Sequence, residues 1–315
     1  MKISNNIKFI LTFLILNFFT DIANAQISNL TYEQYVKLLK KVPVADGQMS
    51  YLDKGKGEEV FVMLHGVPTS SWLYRKINAS LILNDKRVIA PDLLGYGCSD
   101  KPSSDDASKA TIYHPEKQAQ RVFDLLDTLD IKSFTLVCHD MGSLVAWKML
   151  DLDSNHKIKN LVVLNSILEK EGFKPPLKFK KGFIGKNFAK IYCSGLGKSM
   201  IKTTLNNGLH DSKISKKALH GYVKPLKRGG HHALYTFFTN FDEMYRIIED
   251  NPQRFKNFDG EILFIWGKHD DILTIEQCKH ASKWNDSSVE HVLTNSSHFV
   301  QEEEPENIVN ILINL

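Results

Sequence analysis

One fifteen-residue stretch constrains the fold of this chain more than any other. Residues 134–148 read Phe-Thr-Leu-Val-Cys-His-Asp-Met-Gly-Ser-Leu-Val-Ala-Trp-Lys. The apolar run 134–137 is typical of a buried strand, and the pattern from Ser143 onward is typical of a helix. The five residues between them, 138–142, must therefore form a tight turn from strand to helix.

Asp140 stands at the centre of that turn. A nucleophile elbow raises its central residue above the strand ends and needs small neighbours beneath it, which Cys138 and Gly142 supply. A buried Asp that only caps the following helix is the structural alternative. The nucleophile interpretation therefore depends on whether the rest of the chain supplies a base and an orienting acid.

The first 25 residues have the pattern of an export signal. Lys2 and Lys8 precede an apolar core at 9–19, and an Ala-Asn-Ala cleavage site follows at 23–25. The apolar core is too short to span a bilayer. We therefore predict a signal peptide over residues 1–25 and an exported chain, periplasmic or secreted, with no membrane contact after cleavage.

Composition argues against nucleic-acid binding and metal chemistry. The net charge of +4 comes from scattered Lys and Arg, and the densest basic patch, residues 178–190, lacks a compact basic-aromatic module, so we interpret it as a solvated face. Cys98, Cys138, Cys193 and Cys278 have neither metal-site nor redox spacing. We predict no cofactor, no metal and a free thiol at Cys138.

Strand-like and helix-like segments alternate along most of the chain, which predicts an α/β fold with a mainly parallel sheet and helices on both faces. Predicted strands lie at 49–53, 59–64, 87–90, 134–137, 158–164, 261–266 and 289–293. Predicted helices lie at 32–39, 114–129 and 275–284, with a last helix from Pro305. Residues 168–256 show helical patches but no clean strand. We therefore predict a core domain of residues 26–167 and 257–315, with a helical cap at 168–256.

An acid and a histidine follow later predicted strands, where an elbow needs them. Asp270 comes just after strand 261–266, and His298 comes after strand 289–293. The order nucleophile, acid, histidine is that of the elbow template. The alternative place for the acid, after an earlier strand, carries Asn165, and the adjacent Asp271 is a weaker candidate. Asp140, Asp270 and His298 are therefore the predicted catalytic residues.

Four segments carry a resemblance to a known family: 65–75, 91–102, 139–142 and 298–302. They resemble the α/β-hydrolase fold, and within it the branch with an aspartate nucleophile, the haloalkane dehalogenases and epoxide hydrolases. The resemblance covers the chain after the leader except most of the cap, where a Tyr-x-x-Pro segment from Tyr222 and the following Phe237-Phe238 are more weakly similar. It implies an eight-stranded, mainly parallel sheet flanked by helices, with an inserted cap.

The resemblance implies a two-step hydrolysis. A carboxylate can displace a leaving group at saturated carbon, which leaves an ester on Asp140. His298, oriented by Asp270, would activate water to cleave that ester, and the backbone N–H groups of Val67 and Met141 would hold the oxyanion. The predicted activity is dehalogenase-like hydrolysis of a carbon–halogen bond in a small apolar substrate, with water as the other reactant.

Two positions depart from the dehalogenase pattern. Dehalogenases usually place a Trp after the nucleophile and a polar side chain after His-Gly, and both help to hold the departing halide. This chain has Met141 and Val67 there, and neither side chain donates a hydrogen bond. The departures favour an epoxide hydrolase as the alternative enzyme. A binding protein that kept the fold and lost turnover is the alternative from another class.

An epoxide hydrolase needs an acid from the cap to protonate the opening epoxide oxygen. Each candidate has an alternative role as an amphipathic packing residue with its polar end at the surface. The predicted candidates are Tyr192, Tyr222 and Tyr235, with His231 or His232 as substitutes.

Overall fold

The computed structural model describes residues 27–104 and 111–315. The predicted signal peptide, residues 1–25, lies outside these ranges. Within them, no helix combines the length and the apolar character that crossing a bilayer requires.

A single eight-stranded sheet forms the centre of the molecule. Its strands are β1 (Lys40–Val44), β2 (Gly47–Lys54), β3 (Val60–Leu64), β4 (Arg87–Pro91), β5 (Phe134–Asp140), β6 (Ile158–Ser166), β7 (Glu261–Gly267) and β8 (Ser288–Leu293). The order across the sheet is β1-β2-β4-β3-β5-β6-β7-β8. β2 pairs antiparallel with β1 and β4, and the other neighbours are parallel. The predicted eight-stranded, mainly parallel sheet is confirmed.

Helices cover the sheet and fill the interval between β6 and β7. They are α1 (Tyr32–Val36), α2 (Arg75–Leu83), α3 (Pro115–Thr128), α4 (Gly142–Leu152), α5 (Phe183–Tyr192), α6 (Lys198–Asn207), α7 (Lys216–Leu226), α8 (His231–Thr239), α9 (Phe241–Glu249), α10 (Asn251–Lys256), α11 (Ile275–Ala281), α12 (Val300–Glu303) and α13 (Pro305–Leu312). Short 3-10 turns occupy Ile27–Asn29, Ser71–Tyr74 and Ser282–Trp284.

The central strands read as continuous apolar runs because both faces of the sheet are covered. Every residue of β3 and of β5 is buried. Strands buried on both faces lose the polar alternation of half-exposed strands. Their carboxyl ends meet at one edge of the sheet, where the loops after β3, β4, β5, β7 and β8 converge.

The predicted leading helix over residues 32–39 is too long. Thr31 caps α1 through a capping box with Gln34, but the helix ends at Val36. The chain then forms β1, which the sequence analysis did not predict, and Val42 pairs with Met49 across a hairpin. Both of those side chains are buried, so burial against β2 favours the strand over a longer helix.

Six helices, α5 to α10, lie within residues 168–256, and no strand of the sheet falls there. One of them, α7, approaches the core closely: the Trp72 indole N–H donates to the Ala218 carbonyl at 3.3 Å. A Cβ on Gly221 would lie 2.3 Å from the Trp72 Nε1, so only glycine fits there. The bounds 168–256 for the cap stay a prediction, because helical content does not by itself define a domain.

Candidate active site

Asp140 ends β5 in a strained conformation. Its φ of 51° is positive, a region that side chains other than glycine seldom adopt. The turn is packed tightly beneath it: a Cβ on Gly66 would lie 2.4 Å from the Asp140 Cβ, and one on Gly142 would lie 2.6 Å from the Leu64 carbonyl oxygen. Ser143 Oγ donates to the Asp140 carbonyl at 2.6 Å. The glycines and this hydrogen bond hold the strained turn in place.

The Asp140 carboxylate faces two backbone donors. The Val67 N–H donates to Asp140 Oδ1 at 2.8 Å, and the Met141 N–H also hydrogen-bonds with this carboxyl group. Burial raises the pKa of Asp140, and His298 with the two N–H groups only partly offsets that effect. The structure thus places both predicted oxyanion donors at the Asp140 side chain.

His298 lies between the two predicted acids. Its Nδ1 is 2.9 Å from Asp270 Oδ2, and its Nε2 is 3.8 Å from Asp140 Oδ2. Burial alone would lower the pKa of His298, but the charge and hydrogen bond of Asp270, together with the charge of Asp140, outweigh burial and raise it. The three predicted catalytic side chains therefore lie together.

Asp270 is held by four hydrogen bonds. Its Oδ1 accepts from the backbone N–H groups of Ile272 and Leu273 at 2.8 and 3.0 Å. Its Oδ2 accepts from Asn165 Nδ2 at 2.7 Å and contacts His298 Nδ1 at 2.9 Å. A carboxylate with its lone pairs filled in this way has a fixed orientation. Asp270 can therefore fix the ring orientation of His298.

Asn165 and His139 are contributors that sequence reasoning missed. Asn165 cannot be the acid of the triad, yet its amide links Asp270 to the Gly267 N–H. His139 Nε2 lies 2.9 Å from the His298 carbonyl oxygen, and burial lowers the pKa of His139 well below its ordinary value. A neutral His139 therefore donates to the backbone of His298. The adjacency of His139 to the elbow residue was the available signal.

Asp271, the weaker alternative for the acid, is exposed. His298 contacts Asp270 instead, because the Asp270 side chain is buried beside the histidine and Asp271 is not.

The three predicted cap tyrosines have different surroundings. Tyr192 is buried and lines the same cleft as Asp140 and His298. Its hydroxyl donates to Thr204 Oγ1 at 3.1 Å. Burial raises the pKa of Tyr192 to about 12. Tyr192 is therefore the predicted cap tyrosine that reaches the site.

The structure does not bring Tyr222 or Tyr235 into the cleft that contains Asp140 and His298. The Tyr222 hydroxyl donates to Glu302 Oε1 at 2.5 Å, where Glu302 also binds Arg75. The Tyr235 hydroxyl accepts from the Gly182 N–H at 2.7 Å. Each hydroxyl is engaged in a structural contact away from Asp140, which the sequence pattern does not reveal.

His231 and His232, the substitute cap acids, are also outside the cleft. They line a separate small surface pocket together with Tyr235 and Lys190. Their place on the first turn of α8 directs them there.

Two cavities adjoin the elbow. The cleft that contains Asp140 and His298 measures about 20 Å³, and a neighbouring cavity that Met141 lines measures about 430 Å³. Phe237 lines both. Apart from Asp140 and His298, the cleft is lined by Val67, Pro68, Phe173, Pro175, Pro176, Leu177, Tyr192, Thr204, Phe237, Phe238, Ile272 and Phe299. This lining suits an apolar ligand.

Tyr96 lines the cavity beside the elbow, and the sequence analysis did not identify it. It is buried, lines the larger cavity and packs edge-on against His65 with ring centroids 5.3 Å apart. Burial, then Tyr113, Asp140 and Cys193, raises the pKa of Tyr96 well above its ordinary value. Tyr96 stands between two glycines that both have positive φ, so the glycine pair after β4 was the available signal.

The sequence of this chain is similar to those of known hydrolases. Residues 59–305 match the family described as alpha/beta hydrolase fold. A haloalkane dehalogenase of Psychrobacter cryohalolentis is 38% identical over 104 residues, which is 33% of this chain and 33% of that protein. The chain thus spans only a third of that relative's length in this alignment. The uncharacterized hydrolase YugF of Bacillus subtilis is 28% identical over 265 residues, 83% of this chain and 92% of YugF.

Solved structures agree on the architecture. An alpha/beta hydrolase fold protein from Burkholderia ambifaria superposes with a TM-score of 0.70 at 23% identity, covering 88% of this chain and 98% of that one. Identity at that level carries the fold alone. The predicted fold class is confirmed by this match together with the family match.

Proposed function

Because the chain belongs to the α/β-hydrolase fold family, we propose that it is a hydrolase that works through a covalent ester on Asp140. The haloalkane dehalogenase relative supports hydrolase activity of this group. The single observation that carries the proposal is the buried arrangement of Asp140, His298 and Asp270. In it, the Val67 N–H binds one Asp140 oxygen, and His298 faces the other oxygen from 3.8 Å.

The first step is attack by Asp140 on saturated carbon. Oδ1 accepts the Val67 N–H at 2.8 Å, so Oδ2 is the oxygen that attacks. The distance of 3.8 Å between Asp140 Oδ2 and His298 Nε2 is too long for a direct hydrogen bond. The lone pairs of Oδ2 therefore remain available for attack. The new bond joins Oδ2 to the substrate carbon, and the leaving group departs with its electron pair.

The second step is hydrolysis of the ester. Neutral His298 accepts a proton from water, and the resulting hydroxide adds to the Asp140 carboxyl carbon. Negative charge develops on Oδ1, where the Val67 and Met141 N–H groups stabilise it. Collapse releases the alcohol oxygen, which takes the proton back from His298. Asp270 stabilises the imidazolium that exists between these two proton transfers.

The apolar lining of the cleft favours a small apolar substrate. Haloalkanes are the substrate class that the name of the Psychrobacter relative suggests. We therefore propose carbon–halogen hydrolysis, giving an alcohol and a halide, as the first candidate activity. The leaving halide would interact with backbone N–H groups and with the Tyr192 hydroxyl, which would turn to it from Thr204, because the side chains of Val67 and Met141 donate nothing.

Epoxide hydrolysis is the second candidate, and the position of Tyr192 favours it. The Tyr192 hydroxyl lies in the cleft with Asp140, and burial raises its pKa to about 12. It therefore stays protonated at neutral pH and can give its proton to the much more basic alkoxide of an opening epoxide. Such a reaction needs no halide site.

A substrate panel tests both candidates. Purified protein is given bromoalkanes and terminal epoxides, halide release and diol formation are followed separately, and Asp140→Asn serves as the blank. Halide release that the blank lacks would support the first candidate, and diol formation without halide release would support the second. An Asp140→Asn protein as active as the wild type would contradict the proposed ester mechanism. No reaction with either substrate class would contradict both candidate activities and favour a binding role.

A further inference from the structure

The outer face of cap helix α5 exposes large apolar side chains. Phe183 is 82% exposed, Ile184 70% and Ile191 48%, and Leu196 in the following turn is 83% exposed. These four residues are called the α5 patch below. Single exposed apolar residues are ordinary on protein surfaces, but a cluster marks an interaction site. Four within fourteen consecutive residues form such a cluster.

Helical geometry places the patch on the side of α5 that faces away from the protein. Ile184 and Ile191 are seven residues apart, hence on one face and about 10 Å apart along the axis. The opposite face, with Gly185, Ala189 and Tyr192, is buried. The outer side also carries Asn187 and Lys190, so it combines large apolar side chains with polar ones. The protein interior accounts for the inner face and leaves the outer face to be explained.

The charge around the patch has one sign. Residues 172–210 contain eight lysines and no Asp, Glu or Arg, whereas the whole chain has a net charge of only +4. The remainder of the molecule is therefore net negative, and positive charge is concentrated beside the patch. Lys180, Lys181, Lys190 and Lys198 are exposed there. Exposed apolar side chains flanked by lysines are typical of helices that lie in a membrane interface.

We propose that the α5 patch docks on the surface of an anionic lipid membrane. Phe183, Ile184, Ile191 and Leu196 enter the boundary between headgroups and acyl chains, and the flanking lysines contact lipid phosphates. A second copy of the chain fits less well, because it would bring two positive surfaces together. Nucleic acid fits less well because the patch is mainly aliphatic and offers little for base stacking.

This proposal revises the sequence-based expectations of a solvated basic face and no membrane contact. It rests on surface exposure and charge, so it is independent of the proposed reaction. It also has a consequence for access to the cleft. Tyr192 on the inner face of α5 lines the cleft, so a docked α5 brings the cleft close to a phase in which apolar substrates concentrate.

Vesicle flotation tests the proposal. Purified full-length protein is mixed with vesicles of phosphatidylcholine alone, or of phosphatidylcholine and phosphatidylglycerol in equal parts, and the floated fraction is measured. We expect binding to the anionic vesicles, weakened by salt. Phe183→Ser/Ile184→Ser should reduce partitioning at least about tenfold. Replacing Lys180 or Lys181 by Gln should reduce it about fivefold per lysine on anionic vesicles.

A matched control uses exposed apolar residues elsewhere. Val289 and Val292 on β8 are 47% and 42% exposed, and Val289→Thr/Val292→Thr should float like the wild type. Thermal melting shows which variants remain folded, and the lysine variants keep the test decisive if the apolar ones unfold. Equal flotation of the wild type and the patch variants would overturn the proposal. Attachment through the N-terminal leader would give this result. Absence of wild-type binding, or a patch-dependent dimer without lipid, would also overturn the proposal.

Discussion

The loops of the core and the helices of the cap contribute to the cleft in different ways. On the core side, Asp270 accepts four hydrogen bonds, and Asp140 is held by backbone N–H groups and by a turn that only glycines permit. On the cap side, Tyr192 and Thr204 bring the hydroxyls, and apolar side chains complete the lining. The loops after the sheet strands thus hold the proposed reacting groups, whereas the predicted cap, residues 168–256, supplies most of the remaining lining.

The cap itself is unevenly attached. On α7, Tyr222 donates to Glu302, which forms a buried ion pair with Arg75 through contacts of 2.6 and 2.8 Å. On α5, apolar side chains are exposed to solvent. The α7 side therefore anchors the cap to the core, and the α5 side is free to make an external contact.

The largest expected effect is the loss of turnover when His298, a proposed reacting group of the core, is replaced. His298→Gln removes the base of the second step but leaves the Asp140 carboxylate in place, so the ester should form and persist. Turnover should fall by about 10⁴-fold. Mass spectrometry of the intact protein after exposure to a turned-over substrate should show the added alkyl group. A variant that retains full turnover would contradict the role of His298.

The next effect tests the anchor between α7 and the core. The side chains of Arg75 and Glu302 are 5% and 7% exposed, so Glu302→Gln leaves a buried guanidinium without its charged partner. Breaking a buried pair in this way costs roughly 3–5 kcal/mol of unfolding free energy. Urea denaturation measures the loss. The matched control is Glu59→Gln, whose carboxylate pairs with Lys86 at the surface and should contribute less than about 1 kcal/mol.

The pH dependence of turnover tests the electrostatics of the core. Protonated His298 cannot accept a proton from water, so activity should fall about tenfold for each pH unit below its pKa. In the ester Asp140 carries no charge, so Asp270 is the group that raises that pKa, and the acidic limb should lie above pH 6.5, the ordinary value for histidine. A kcat profile over acidic to neutral pH locates the limb. A limb well below pH 6.5 would contradict the raised pKa.

The smallest expected effect is the fall in kcat when the hydroxyl of Tyr192 is removed. Tyr192→Phe keeps the ring in the cleft and removes the proton donor. If an epoxide is the substrate, kcat should fall about 10²-fold or more, as expected for loss of a general acid. If a haloalkane is the substrate, the loss should stay near tenfold, because the hydroxyl then supplies one hydrogen bond only. Tyr235→Phe is the matched control outside the cleft and should leave kcat unchanged.

The three proposed catalytic residues could be found from sequence because each ends or follows a recognisable strand. Asp140 ends β5, Asp270 and His298 lie on the loops that follow β7 and β8, and parallel strands bring those ends to one edge. The parallel direction and the order of the strands therefore bring them to the same edge of the sheet, and the loops complete their contact.

The cap residues could not be predicted in the same way. Tyr222 and Tyr235 were as plausible as Tyr192 because a helical pattern shows which side of a helix is buried but not what it is buried against. Their partners, Glu302 and Gly182, are 80 and 53 residues away along the chain. Strand β1 was missed for a different reason: its partner β2 is close along the chain, but the helical pattern of residues 32–39 concealed where the helix ends.

A single turnover in H₂¹⁸O tests the ester on Asp140 most directly. The enzyme is given less than one equivalent of a turned-over substrate, and the alcohol product and the peptide containing Asp140 are both weighed. The ester mechanism predicts ¹⁸O in the Asp140 carboxylate and ordinary oxygen in the product, because water attacks the carboxyl carbon of Asp140. Labelled product with an unlabelled Asp140 peptide would mean direct attack by water and would contradict the mechanism.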